Sequence, residues 1–286
     1  MTAIRKLARF SLTTGEADRL GVFYERALGF RRLGVEDHSG AQFEALMGIA
    51  GGARALVLSL GEQVVELLEF ASPGRPYPPD AASSDIAFQH FAIVVAHMDA
   101  AYQRLHAVAG WRAITSGGPQ RLPETSGGVT AFKFRDLEGH PLELLAFPEG
   151  KAPPYWRARR GDDPCLGIDH SAISVSDVAR SVAFYEQLGL AVSARSHNHG
   201  PEQAWLDGLP SPDIEVTALE AREATPHIEL LGYRGVARGA AVRLANNDIA
   251  ATRLTLEAGG KDGALARRSV FDPDGHHLVI DAPADG

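Results

Sequence analysis

The sequence predicts an α+β fold made of four repeated units, each a strand, a helix and further strands. The clearest sign is a hairpin that occurs twice, at 132–147 and 271–280, each time with an Asp-x-x-Gly-His turn between apolar strands. A second sign is the helix end at 23–29, Phe-Tyr-Glu followed by Gly, which returns at 184–189. Internal repetition of this kind indicates a modular architecture.

The elements of the first half follow from their hydrophobic periodicity. Strands are predicted at 4–14, 55–60, 64–70 and 88–95, helices at 16–28 and 99–109, and a closing hairpin at 132–147. Gly29 is expected to end the first helix as a C-cap residue, and Asp99 to cap the start of the second. The segments 72–84 and 116–128 are rich in turn-forming residues and are predicted to be loops.

The second half repeats the pattern after a linker. Residues 150–167 contain three prolines and three arginines and are predicted to separate two domains. The first domain is 1–149, with units at about 4–75 and 86–147, and the second is 168–286, with units at about 168–235 and 239–283. Strands are predicted at 170–177, 214–220, 227–233 and 241–245, helices at 178–188 and 248–258, and a last hairpin that ends at Asp281.

The composition is that of an ordinary globular protein, with 45% hydrophobic and 22% charged residues in 286. The formal net charge of −8 argues against nucleic-acid binding, which a basic excess would favour. Cys165 is the one cysteine, so an intramolecular disulfide and a multi-cysteine zinc site are excluded. No apolar run reaches the length of a membrane span and the N-terminus has no signal-peptide core, so a cytoplasmic location is expected.

The first hairpin carries a carboxylate among leucines. Glu143 lies between Leu142 and Leu144, where burying its charge is costly unless an arginine or a metal ion meets it. When the two hairpins are aligned on their turn aspartates, the counterpart of Glu143 is Val279. The scaffold therefore repeats and the carboxylate does not.

These repeats resemble the vicinal oxygen chelate superfamily, which includes glyoxalase I, extradiol dioxygenases, methylmalonyl-CoA epimerase and the fosfomycin and bleomycin resistance proteins. The residues that carry the resemblance are Phe23-Tyr24 with Leu28-Gly29, His170 with Asp177 and Phe184-Tyr185, His90-Phe91-Ala92, and the two Asp-x-x-Gly-His turns. The resemblance implies four βαβββ modules paired into two open, cupped barrels. It also implies a divalent metal in the cup, bound by side chains from the first and last strands of each module.

The resemblance places candidate ligands at single positions. In the first domain they fall on Arg9, Glu66, His90 and Glu143, and in the second on His170, Glu229, Ala241 and Val279. Arginine is a poor ligand because it stays a cation. The predicted metal ligands are therefore His90, Glu143 and Glu66, whereas His170 and Glu229 are predicted to be a vestigial site.

This assignment assumes that consecutive modules share a cup, which is the simpler pairing. If the second and third modules shared one instead, His90, Glu143, His170 and Glu229 would form a full set of four ligands. A one-residue slip in the strand that contains Glu66 would exchange that residue with Glu69.

Three functions remain open at this stage. The first is a metal-dependent, glyoxalase-like lyase or isomerase with Glu143 and Glu66 as catalytic residues and Arg9 binding a small, anionic substrate. Its divalent metal would be Zn, Mn, Fe(II) or Ni. The second is an extradiol-type ring-cleaving dioxygenase, and the third a metal-free protein that binds or sequesters small molecules. No nucleic-acid or membrane partner is expected, a homodimer is one option, and the loops 116–128 and 196–204 are expected to influence substrate choice.

Overall fold

A computed structural model of the protein describes residues 3–159, 163–236, 244–259 and 267–281. Its helices are α1 (Ala17–Leu28), α2 (Ala41–Met47), α3 (Met98–His106), α4 (Pro154–Arg157), α5 (Val178–Gln187) and α6 (Pro201–Asp207), with a 3-10 turn at Glu124–Ser126. Among these residues no helix is long and apolar enough to cross a membrane.

The strands form two open sheets. They are β1 (Ile4–Thr13), β2 (Arg31–His38), β3 (Ala53–Leu60), β4 (Gln63–Phe70), β5 (Gln89–Val95), β6 (Arg112–Ala113), β7 (Gln120–Arg121), β8 (Thr130–Arg135), β9 (Pro141–Ala146), β10 (Cys165–Ser174), β11 (Ala191–His199), β12 (Asp213–Glu220), β13 (His227–Arg234), β14 (Thr252–Ala258), β15 (Arg268–Phe271) and β16 (His277–Asp281). The first sheet has the order β15-β16-β14-β1-β4-β3-β2, and the second the order β11-β12-β13-β10-β5-β9-β8-β6, with β7 beside β8. The predicted α+β fold of repeated modules in two open, cupped sheets is confirmed.

The modules share their sheets in a different pairing from the one predicted. The first sheet joins modules one and four through β1 and β14, and the second joins modules two and three through β5 and β10. In each module the last strand takes one edge of the first strand, so the other edge is free to pair with another module. The order of modules along the chain does not decide which free edges meet, and consecutive pairing within a sheet was wrong.

Consecutive modules do meet, but back to back. Phe10 of the first sheet packs on Phe91 of the second, with 5.5 Å between ring centroids, inside one continuous core that also takes in α1, α3 and α5. Tyr24 on α1 donates to Asp136 Oδ2 in the turn of module two, and Tyr185 on α5 donates to Asp272 Oδ2 in the turn of module four. The faces that carry the candidate ligands therefore point away from this core.

Of the two predicted helix caps, the one at Gly29 is confirmed and the one at Asp99 is wrong. Gly29 ends α1 at φ 79°, in the left-handed region that glycine adopts without steric cost. Asp177 caps α5 by accepting the backbone N–H of Arg180. Asp99, in contrast, lies inside α3, whose N-cap residue is His97 and has no side-chain cap.

The fourth module differs most from its prediction. The predicted helix 248–258 contains strand β14, in which Leu254 and Leu256 face the core and Arg253 and Thr255 alternate with them. That alternation is the period of a strand. Of the predicted strand 241–245, residues 241–243 lie outside the described part of the chain, and 244–245 are not in a strand.

Candidate functional site

Four side chains converge on the outer face of the second sheet, which we name the histidine cup: His90, Glu143, His170 and Glu229. His90 Nε2 lies 2.8 Å from Glu143 Oε2, and His170 Nε2 lies 3.5 Å from Glu229 Oε2. One ligand atom from each of His90, Glu143 and His170 lies within 4.8 Å of the other two. The cup is therefore a compact cluster of two imidazoles and two carboxylates.

Strand register explains why these four meet. In one row across the sheet, His170 pairs with Ala92 and Ala92 with Glu143. In the next row, His90 pairs with Ala172 and Ala172 with Glu229. Strand alternation puts all of them on one face, and the two alanines leave free space between the larger side chains. The site is thus built symmetrically from modules two and three.

Burial and mutual charge set the protonation of the cluster. Burial lowers the pKa of His90, so this imidazole is held neutral. Burial opposes the charged form of His170, but Glu229 and Asp169 raise its pKa to about 9. Burial would raise the pKa of Glu229, yet the charge on His170 lowers it to about 2. For Glu143, Lys133 and His90 together offset burial and lower the pKa.

A second layer of side chains orients His170. Asp169 Oδ2 accepts a hydrogen bond from His170 Nδ1 at 3.0 Å, and Trp156 in the linker helix α4 donates its indole N–H to the same carboxylate. Neighbours on a strand normally face opposite ways, but β10 has a register irregularity between Ile168 and His170 that lets both side chains meet. Such a contact fixes the tautomer and ring orientation of a histidine.

A cavity of about 170 Å³ opens beside the cluster and has one polar wall. Lys133 Nζ donates to Asp207 Oδ1 at 2.6 Å, and Asp207 Oδ2 accepts from Gln203 at 2.8 Å and from Tyr233 at 3.2 Å. The lining also includes three further polar residues, Ser126, Ser196 and Asn198, and eight apolar ones: Leu122, Val129, Leu145, Phe147, Leu206, Ile214, Val216 and Leu231. The cavity is therefore small, with a mixed lining of polar and apolar side chains.

The corresponding face of the first sheet, which we name the arginine cup, carries Arg9, Glu66 and Arg253. Arg9 Nη1 donates to Glu66 Oε2 at 2.8 Å and to Glu36 Oε2 at 3.1 Å. Arg253 is fully buried and donates to a main-chain carbonyl and a threonine hydroxyl. Val279 stands where Glu143 stands in the other cup. The two guanidinium groups would repel a divalent cation. The carboxylates of Glu66 and Glu36 balance their charge within the protein.

The structure separates the ligand set that the sequence predicted. His90 and Glu143 lie together, but Glu66 lies in the arginine cup with Arg9, on the other sheet. His170 and Glu229, predicted to be vestigial, complete the histidine cup. Glu66 does face its cup as expected; Glu69 instead accepts the backbone N–H of Ala17.

The first-strand position of module four was also assigned to the wrong residue. The structure places Arg253 there, because Arg253 pairs with Ser11 in the first sheet as His90 pairs with Ala172 in the second. Ala241, the residue assigned from the sequence, lies outside the described part of the chain. The error followed from taking β14 for a helix.

Four residues near the site were not found from the sequence: Lys133, Asp169, Gln203 and Asp207. Lys133 could have been found, because the predicted hairpin places it directly opposite Glu143. Gln203 and Asp207 both lie on α6; Gln203 falls in the predicted loop 196–204, and Asp207 lies beyond its end. Asp169 depends on the irregularity in β10, which leaves no clear sequence pattern.

The donor set of the histidine cup fits a divalent metal. Imidazole nitrogens and carboxylate oxygens suit Zn, Ni, Mn and Fe(II). His90 supports the fit independently, because its Nδ1 is buried without a hydrogen-bond partner among the described residues. A neutral imidazole with one nitrogen that has no partner among the described residues can serve as a metal ligand.

Comparisons with known proteins give a consistent result. The family model described as Glyoxalase/Bleomycin resistance protein/Dioxygenase superfamily matches residues 6–144 and 167–280. Among solved structures, glyoxalase I from Zea mays is 17% identical with a TM-score of 0.58, covering 97% of this chain and 92% of that one. A Bacillus subtilis structure named "putative dioxygenase" is 12% identical with a TM-score of 0.56, covering 100% and 87%. A search of curated proteins found no match. At such identities the structural likeness shows the fold alone.

Proposed function

Because the chain belongs to the Glyoxalase/Bleomycin resistance protein/Dioxygenase superfamily, we propose that it is a metal-dependent lyase or isomerase whose active site is the histidine cup. One observation supports the proposal: His90, Glu143, His170 and Glu229 occupy the first- and last-strand positions of two paired modules on one face of the sheet, and ligand atoms of the first three lie within 4.8 Å of one another. This site replaces the set with Glu66 that the sequence favoured.

The metal would be held by these four side chains. When bound, it supplies Lewis-acid polarisation of neighbouring substrate oxygens, which makes a proton next to a carbonyl easier to remove. Four protein ligands leave open positions in a five- or six-coordinate ion, as a chelating substrate requires.

The protein groups around the ion have distinct roles. Glu229 is the proposed proton acceptor, because its contacts to His170 and His227 are long, at 3.5 and 3.6 Å. Glu143 is held more tightly by His90, at 2.8 Å, and acts as a fixed ligand. Asp169 keeps His170 in the orientation that faces the cup.

The substrate is proposed to be a small molecule with neighbouring oxygens. A cavity of about 170 Å³ admits only a compact reacting part. The expectation of an anionic substrate depended on Arg9, which lies in the arginine cup and is already paired with Glu36 and Glu66. Lys133, which lines the cavity beside the histidine cup, does not take over that role, because it is paired with Asp207.

A dioxygenase is the second candidate, and one observation favours it. Ligand atoms of His90, His170 and Glu143 lie within 4.8 Å of one another, and two histidines with one carboxylate are the ligand set of many non-haem Fe(II) oxygenases. Glu229 would then stand outside the metal's ligands. Oxygen uptake with catechols by the Fe(II)-loaded protein would favour this candidate over a lyase or isomerase.

Metal content by plasma mass spectrometry, with two matched variants, tests the proposal. His170 and Arg9 occupy the same position in modules three and one, so His170→Ala and Arg9→Ala alter one cup each. We expect about one metal ion per chain in the wild type and in Arg9→Ala, and its loss in His170→Ala. Exchange of carbon-bound hydrogen in hydroxyacetone for solvent deuterium would then detect proton abstraction.

A metal that stays in His170→Ala and leaves with Arg9→Ala would refute the site. No metal in any form, after incubation with Mn, Fe, Ni and Zn, would refute the enzyme proposed here and favour a metal-free binding protein. A homodimer and a cytoplasmic location stay predictions.

A further inference from the structure

We propose that Lys133, Gln203, Asp207 and Tyr233 form a subsite that recognises an uncharged hydroxyl group of the substrate. This inference rests on the proposed function, because it takes the histidine cup to be the active site. It adds the substrate class, a hydroxylated neutral molecule. Because the modules repeat, the same positions can be compared in the two cups.

The arginine cup shows what the same positions contain when no such network is present. Helices α2 and α6 correspond, since each follows a glycine, has seven residues and ends at a glycine with φ 64°. Strand register aligns Lys133, opposite Glu143, with Ser269, opposite Val279. The counterparts of Gln203, Asp207, Tyr233 and Lys133 are therefore Phe43, Met47, Phe70 and Ser269.

At these matching positions the two cups carry side chains of opposite polarity. In the arginine cup, Phe43, Met47 and Phe70 pack together in one apolar cluster. In the histidine cup, polar groups replace all three at positions that are just as buried. Burying polar and charged groups costs free energy that an apolar cluster avoids. Because apolar side chains fill the same positions in the arginine cup, packing alone does not explain the polar side chains in the histidine cup.

Gln203 and Lys133 have hydrogen-bonding groups that the network itself does not use. Gln203 donates its amide nitrogen to Asp207 Oδ2, and a carboxylate acceptor fixes which end of the amide is the nitrogen. Its Oε1 is buried and has no hydrogen-bond partner among the described residues, and Gln203 is one of the residues that line the cavity. Lys133 has three N–H donors, of which Asp207 accepts one.

An acceptor beside a donor matches a hydroxyl group, which can donate to Gln203 Oε1 and accept from Lys133 Nζ. A carboxylate fits poorly, because it would face the lone pairs of Gln203 Oε1 and the charge of Asp207. The charge of Lys133 is already balanced by Asp207. The wall therefore selects for hydroxyl and against negative charge.

Three hydroxamates test this reading on the Ni²⁺-loaded protein. Acetohydroxamate and glycolohydroxamate present the same pair of neighbouring oxygens, and the second adds one hydroxyl. Oxalohydroxamate adds a carboxylate instead. Dissociation constants are measured by calorimetry for the wild type and for a variant that copies the arginine cup, with Lys133→Ser, Gln203→Phe, Asp207→Met and Tyr233→Phe. Gln203→Met, close in volume, serves as the milder second variant.

We expect the wild type to bind glycolohydroxamate roughly 3- to 10-fold more tightly than acetohydroxamate, the value of one net hydrogen bond, and oxalohydroxamate less tightly than either. Both variants should retain Ni²⁺ and lose the preference. Equal binding of the first two probes by the wild type, or a preference that persists in Gln203→Met, would overturn the subsite. If the wild type fails to retain Ni²⁺, the proposed function itself fails, and metal analysis distinguishes that result from the others.

Discussion

Replacing Glu66 with Gln should weaken the fold, whereas the same change at Glu229 should weaken metal binding. The two residues occupy the same position in modules one and three, and only their surroundings differ. Glu66 is buried, accepts from Arg9 at 2.8 Å and from Ser11, and lies near the buried guanidinium of Arg253. Among the described residues, Glu229 forms ion pairs with His170 and His227, at 3.5 and 3.6 Å.

The magnitude follows from these contacts. Removing one partner of a buried ion pair costs about 3–5 kcal/mol. Arg9 is partly exposed and keeps Glu36, so we expect Glu66→Gln to lower the free energy of unfolding by the smaller part of that range, about 3 kcal/mol. Glu229→Gln removes a direct ligand, so its metal affinity should fall by more than the roughly 10- to 100-fold typical of second-layer changes.

Denaturant unfolding of the metal-free forms and metal titration of each variant measure the two effects. The pH dependence gives a further check. Burial would raise the pKa of Glu66, but Arg9 and Ser11 lower it below the ordinary value of 4.5. Its stabilisation is therefore complete above pH 4.5 and is lost as pH falls through the lower, folded-state pKa. Wild type and Glu66→Gln should converge in acid. Normal stability of Glu66→Gln, with lost metal, would refute the assignment of the two cups.

Three further predictions use the same measurements. Burial, aided by Arg253, lowers the pKa of His277 to about 3, so below pH 6.5 the unfolded chain binds a proton that the folded protein does not. The free energy of unfolding should therefore fall by about 1.4 kcal/mol for each pH unit because of this group. His277→Gln should remove that slope between pH 6.5 and 5. Asp169→Ala should weaken metal binding by roughly 10- to 100-fold in titrations, whereas Asp213→Ala, at an exposed Asp–His pair, should leave it unchanged. Asp177→Ala should remove the α5 cap and lower the free energy of unfolding by about 1 kcal/mol in denaturant.

The repeated units and much of their secondary structure could be predicted from the amino-acid sequence alone. The aligned hairpins, the Phe-Tyr-Glu helix ends and Gly29 are local patterns, and local patterns depend on nearby residues alone. His90 and Glu143 were also found in this way, because one module contains both and their strands are neighbours. Their role as metal ligands stays a prediction.

Which modules share a cup could be seen only in the folded structure. Each module offers a free edge on its first strand, and the pairing of edges depends on contacts between residues far apart in the chain, such as His90 with Ala172 and Ser11 with Arg253. In the observed pairing, Glu66 and Arg9 lie on the other sheet from His90, whereas His170 and Glu229 lie on the same sheet as His90. Each candidate ligand belongs to one strand and can be found from the local sequence. A site shared by two modules forms only when their first strands pair.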